Sequence, residues 1–83
     1  MNKEKRILVV DDAVFITAVI SNALSQAGYQ VDVAYSAEEA IDKMKVTVPD
    51  LILLDVVMPG MSGFEVCEEL RNNPRYSLIP IIN

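Results

Sequence analysis

Residues 51–63, LILLDVVMPGMSG, bring four consecutive apolar side chains up to a single carboxylate and then into a loop punctuated by proline and glycine. Bounded by Pro49 and Asp50 before it and by Pro59 and Gly60 after it, the Leu/Ile run predicts a short strand, Leu51–Leu54, buried on both faces at the centre of a parallel sheet. Asp55 then falls at or just past the carboxyl end of that strand. Open α/β sheets gather their chemistry at this end, because loops and helix amino termini converge on the crevice there. A core-lining strand has no packing reason to end in a charge, so Asp55 calls for a cation, a cap or a reaction.

The first strand repeats the pattern. Ile7–Val10 is apolar and runs directly into Asp11 and Asp12. From Ala13 to Ala27, Val14, Ile16, Val19, Ile20, Ala23, Leu24 and Ala27 recur at three- and four-residue spacing, which predicts a helix with Asp12 as its N-cap and Gly28 as its stop. Tyr29–Ala34 alternates apolar with polar, as an edge strand wet on one side would. Ser36 with Glu39 three residues on is a capping box, and Ala37, Ala40, Ile41 and Met44 line one face of a second helix reaching about Val46. A third helix opens at Ser62 or Gly63, buries some of Phe64, Val66, Cys67 and Leu70, and ends near Asn72–Pro74. Ser77–Ile82 reads as a fourth strand, weakened by Pro80.

The order βαβαβαβ with right-handed crossovers predicts a three-layer α/β/α, doubly wound parallel sheet; if the second strand lies on one side of the first while the third and fourth extend on the other, the strand order is 2-1-3-4. The first helix then lies alone on one face, and the second and third lie on the other. The lone helix leaves its side of the third and fourth strands bare and the fourth strand an open edge. That is the pattern of an incomplete unit, and it predicts a homo-oligomer or a swapped dimer.

Composition narrows the function. A net charge of -5, seven Lys/Arg and no histidine argue against direct nucleic-acid binding and remove histidine triads and histidine metal ligands. The single cysteine, Cys67, offers no internal disulfide or thiolate cage and fits a reducing, cytoplasmic setting; it reads as a small buried hydrophobe. No window is apolar enough for a membrane span, and the first residues do not form a signal peptide. With the first and third strands adjacent, Asp11, Asp12 and Asp55 meet at one end of the sheet. Such carboxylates repel unless a cation or protons compensate. Oxygen-only ligands suit Mg²⁺, with Mn²⁺ as second candidate, and an Asp beside such an ion is equipped to attack a phosphoryl group. The plain alternatives are an N-cap for Asp12, a surface carboxylate for Asp11 and a turn cap for Asp55.

The strand-Asp-Asp motif at residues 7–12, the D-x-x-M-P-G-x-x-G block at 55–63 and the segment Tyr76–Ile82 together resemble the receiver domain of two-component response regulators, over the whole of residues 1–83. The resemblance implies a flavodoxin-like fold with five strands in the order 2-1-3-4-5 and five helices. By resemblance Asp55 is the phosphoacceptor, Asp12 a direct Mg²⁺ ligand, Asp11 a ligand mainly through water, and the backbone carbonyl of Val57 a third metal contact. The implied phosphoryl donor is a phosphohistidine on a sensor histidine kinase or phosphotransfer protein, or a small acyl phosphate. Receivers continue with a Thr or Ser after the fourth strand, then further helices and a strand ending in Lys. None of these is present here, so the expectation is a partial receiver lacking the last strand and two helices. Ala13 and Val14 stand where Glu-Pro is frequent, and Thr17 where Arg is frequent. The rival reading is a non-phosphorylatable interaction fragment that self-associates through its bare sheet face. A Mg²⁺-dependent phosphohydrolase is disfavoured because Val57, not an acid, stands two residues after Asp55.

Overall fold

The computed structural model describes residues 5–54 and 63–82, with the backbone alone for 63–66. In chain order the elements are β1 (Arg6–Val10), α1 (Val14–Gln26), β2 (Gln30–Ala34), α2 (Ala37–Val46), β3 (Leu51–Leu54), α3 (Gly63–Arg71) and β4 (Ile81–Ile82). All pairings are parallel and the strand order is β2-β1-β3-β4, the order that the resemblance implied.

Side-chain alternation divides the sheet into two unlike faces. Leu8, Val10, Ala34, Ile52 and Leu54 point to one side, where Ala37, Ala40 and Met44 of α2 and Leu70 of α3 complete a single buried cluster. Tyr76 and Ile79, from the turns after α3, close its lower edge. On the other side α1 covers Ile7 and Val9, which are buried, but Leu51 and Leu53 are only half-buried. The prediction that β3 is enclosed on both faces therefore holds on one face only. A single helix spans about 10 Å with its side chains, the width of two strands, and cannot shield four.

The same geometry corrects the reading of α1. Its apolar spacing predicted a buried stripe, yet Thr17 is the one fully buried side chain of the helix; Val14, Ile16 and Val19 are exposed. Its cap differs too. Ala13, not Asp12, occupies the N-cap position with no side-chain cap, and the Ala13 N–H is taken instead by Asp11 Oδ1 at 2.9 Å. The predicted stop is correct. Gly28, at φ 103°, carries a Schellman turn in which Tyr29 N–H donates to the Leu24 carbonyl and Gly28 N–H to that of Ser25.

The second helix follows its sequence closely. Ser36 Oγ accepts from Glu39 N–H at 3.1 Å, while Glu39 reaches back one residue further than a standard capping box, accepting from Tyr35 N–H at 2.8 Å. Ser36→Ala is expected to cost about 1 kcal/mol, read as a lower midpoint with unchanged slope in urea denaturation. At the fourth strand the prediction was too long. Residues 73–79 form turns, with Tyr76 N–H bonded to the Asn73 carbonyl and Ile79 N–H to that of Tyr76, and only Ile81–Ile82 pair with β3. Pro80 lacks the N–H a strand would use, although its carbonyl accepts from Ile52 at 3.0 Å. The expected contributions of Phe64 and Val66 to the core lie outside the described residues.

Candidate functional site

The site begins with register. Val10 of β1 is partnered with Leu54 of β3, so both strands reach the same level at their carboxyl ends. Asp50 sets this alignment at the other end. Its N–H donates to the Arg6 carbonyl at 2.7 Å, and its own carboxylate accepts from Arg6 N–H at 2.8 Å. In sequence the residue after Val10 is Asp11, and the residue after Leu54 is Asp55.

Asp11 is half-buried and held twice. Its N–H donates to the Ala34 carbonyl at 3.1 Å, tying it to the end of β2, and its Oδ1 accepts from Ala13 N–H. One carboxylate oxygen is thus committed to turning the chain into α1, leaving Oδ2 for a ligand or water. Asp12 is exposed at the tip of that turn. Asp55 and Val57 lie outside the described residues, as does the Pro59-Gly60 loop. Among the described residues no group of three metal-ligating side chains comes together; of the expected site residues, Asp11 and Asp12 are the two among them. The donors are oxygen only, and no histidine exists in the chain, so the chemistry of the set fits a hard cation such as Mg²⁺.

Two open cavities flank the sheet. A groove of about 330 Å³ lies beside Asp11, floored by Val9, Leu53 and Ile82 and walled by Ile20 of α1. A second, of about 460 Å³, runs between β2 and α2 past Asp32, Glu39, Asp42 and Lys43. Its charges largely satisfy one another: Arg6 pairs with Asp32 at 3.0 Å, and Lys43 pairs with Glu39 at 3.5 Å while also donating to the Val33 carbonyl. Sequence reading did not single out either cavity as a site. The first follows from the bare sheet face it predicted; the second depends on side-chain packing that periodicity does not report. No described helix is long and apolar enough to cross a membrane.

Comparison with known proteins agrees with this geometry. The chain is 44% identical over 79 residues to the probable transcriptional regulator ycf27 of Cyanophora paradoxa, covering 95% of this chain and 32% of that protein. It therefore spans about a third of the length of such curated relatives. Among solved structures, the N-terminal domain of a response regulator receiver protein from Methanoculleus marisnigri superposes with a TM-score of 0.88 at 39% identity, over 92% of this chain and 62% of that one. The response regulator TrrA from Thermotoga maritima, solved in complex with Mg²⁺–BeF, matches at 44% identity and a TM-score of 0.79, over 86% of this chain and 62% of that one. The family model described as the response regulator receiver domain matches residues 7–83. With the 2-1-3-4 parallel sheet and the acidic pair at the end of its first strand, this chain belongs to the response regulator receiver domain family.

Proposed function

We propose that residues 1–83 are the phosphoacceptor part of a response regulator, in which Asp55 takes a phosphoryl group from a phosphohistidine on a sensor histidine kinase or phosphotransfer protein. Asp12 and the Val57 carbonyl ligate Mg²⁺ directly in this reading, and Asp11 acts mainly through water. The observation that carries it is the pairing of Val10 with Leu54, which makes an aspartate the next residue on each of two adjacent parallel strands. The relative solved with Mg²⁺–BeF supports the same assignment by its similarity.

The roles divide by how each carboxylate is held. Asp11, with Oδ1 fixed by Ala13, presents its remaining oxygen at a constant position and suits orientation of a water. Asp12, more exposed, suits direct ligation. When bound, Mg²⁺ would offset the repulsion between these carboxylates and the oxygens of the incoming phosphoryl group. The Asp55 carboxylate oxygen attacks phosphorus, the phosphorus–nitrogen bond of the donor breaks with its electron pair staying on nitrogen, and the imidazole, whose other ring nitrogen already carries a proton, leaves as the neutral base. An aspartyl-phosphate results.

Titration of the chain with Mg²⁺, followed by calorimetry, tests the ligand set. Asp12→Asn is expected to weaken binding by at least about tenfold while leaving the circular dichroism spectrum unchanged. An Asp12→Asn chain that bound Mg²⁺ as tightly as the parent would remove Asp12 from the site.

A further inference from the structure

β2 is an outer strand of the β2-β1-β3-β4 sheet, on the side away from β4. In a parallel pair, alternate residues turn both their N–H and their C=O toward the same neighbour. Gln30 N–H donates to the Lys5 carbonyl and the Ala34 carbonyl accepts from Asp11 N–H, so Gln30, Asp32 and Ala34 face β1. Val31 and Val33, and Tyr35 just past the strand, therefore turn their backbone groups outward. The segment Tyr29–Tyr35, YQVDVAY, combines β-branched and aromatic residues with a single charge, a composition that favours pairing with a further strand. A row of outward N–H and C=O groups on such a segment is a template for strand addition unless something covers it.

Two side chains of α2 cover its carboxyl-terminal half. Tyr35 N–H donates to Glu39 Oε1 at 2.8 Å, and Lys43 Nζ donates to the Val33 carbonyl. Glu39 Oε2 and Lys43 Nζ are themselves paired at 3.5 Å, one helical turn apart. A parallel neighbouring strand would meet the Val33 carbonyl and the Tyr35 N–H with the N–H and the C=O of one of its residues. The ammonium and the carboxylate supply the same donor and the same acceptor at the same two groups. The other ion pair on this helix, Lys45 with Asp42 at 3.7 Å, bonds to no strand among the described residues, so the contact with β2 is particular to Glu39 and Lys43.

We propose that Glu39 and Lys43 form an autoinhibitory contact that occupies the β2 edge in place of a further strand, and that its removal opens the edge to β2 of a second copy. Lys43 is the part of the contact that can be removed alone. Glu39 also holds Tyr35 at the start of α2, whereas Lys43 is partly exposed in the last turns of the helix and reaches the edge only through its ammonium group. Without that group the Val33 carbonyl joins the outward N–H of Val33 and both outward groups of Val31, and the whole edge is then available to an incoming backbone. The contact includes neither Asp55 nor Asp11 and Asp12, so it stands or falls separately from the phosphoacceptor reading.

Sedimentation velocity of the 83-residue chain, combined with amide hydrogen exchange read by NMR, is the test, with each variant compared with the parent at equal concentration. Lys43→Ala puts the best helix former on α2 and frees the Val33 carbonyl. It is expected to self-associate about tenfold more strongly than the parent, or more, since each copy regains hydrogen bonds across the new contact. Exchange of the Val31 and Val33 N–H groups is expected to slow as its concentration rises. Lys43→Arg, which keeps a cationic donor within reach of the Val33 carbonyl, is expected to behave as the parent. A Lys43→Ala chain that stays in the parent's state overturns the proposal. So does a Lys43→Arg chain that associates as Lys43→Ala does, or association of Lys43→Ala with no added protection at Val31 and Val33.

Discussion

Asp55→Asn is expected to abolish phosphoryl uptake from acetyl phosphate in the presence of Mg²⁺, lowering the rate on the order of 10³-fold or more. The amide has nearly the shape of the carboxylate but offers no anionic oxygen to attack phosphorus. Asp12→Asn leaves that nucleophile in place and removes only a cation ligand, so its uptake should fall less and be partly restored by raising Mg²⁺. Intact-mass spectrometry of the parent and both variants distinguishes these outcomes. Label retained by the Asp55→Asn chain would transfer the acceptor role to Asp11 or Asp12, the other aspartates at this end of the sheet.

The largest effect on stability is expected at Ile52. This residue is 1% exposed at the centre of β3, in register with Leu8 on one side and Ile81 on the other. Ile52→Ala removes three methyl or methylene carbons from a site closed by Leu54, Met44 and Leu70, members of the same buried cluster. The cost should be about 2–5 kcal/mol. In a chain of this length each kcal/mol lowers the melting temperature by roughly 4–8 °C, so the variant is expected to melt well below the parent or to be unfolded at 37 °C. Leu53→Ala, one residue along but on the half-open face, should cost clearly less. Equal losses at the two positions in a thermal melt would contradict the division of the sheet into a closed and an open face.

What could be read from residue order was whatever depended on local chemistry or on strand adjacency. The bounds of α2 follow from Ser36, Glu39 and the Ala37–Met44 spacing, and α2 runs to Val46 as that spacing predicts. The strand order was implied by the resemblance to receiver domains, and crossover handedness then assigned the helices to their faces. The error at α1 has a plain cause: periodicity records that a segment has an apolar side but not whether anything is there to meet it. Val14, Ile16 and Val19 repeat at helical spacing and remain exposed, because the layer beside α1 contains no second helix among the described residues. Pro80 sat inside an apolar run whose composition favoured a strand, and its missing N–H confined pairing to Ile81–Ile82. Asp11 and Asp12 stand out in the sequence by the apolar run that precedes them, yet the choice of Asp12 as helix cap failed. The cap-like bond comes from Asp11, a competition between neighbouring carboxylates that spacing does not decide. The roles of Asp55 and Val57 rest on the motif and on the family.

The clamp of Asp50 on Arg6 has a wider implication for how such a chain can vary. It anchors two parallel strands at their starting ends, so the position of each acidic terminus is counted out by the number of residues between anchor and tip. Adding or deleting one residue within that count would shift the tip by about 3.3 Å and turn its side chain to the opposite face. Side chains along the two strands are exchangeable so long as they remain apolar, whereas the strand lengths are not. The sheet serves as a measuring rod, and its graduation is the single amino acid.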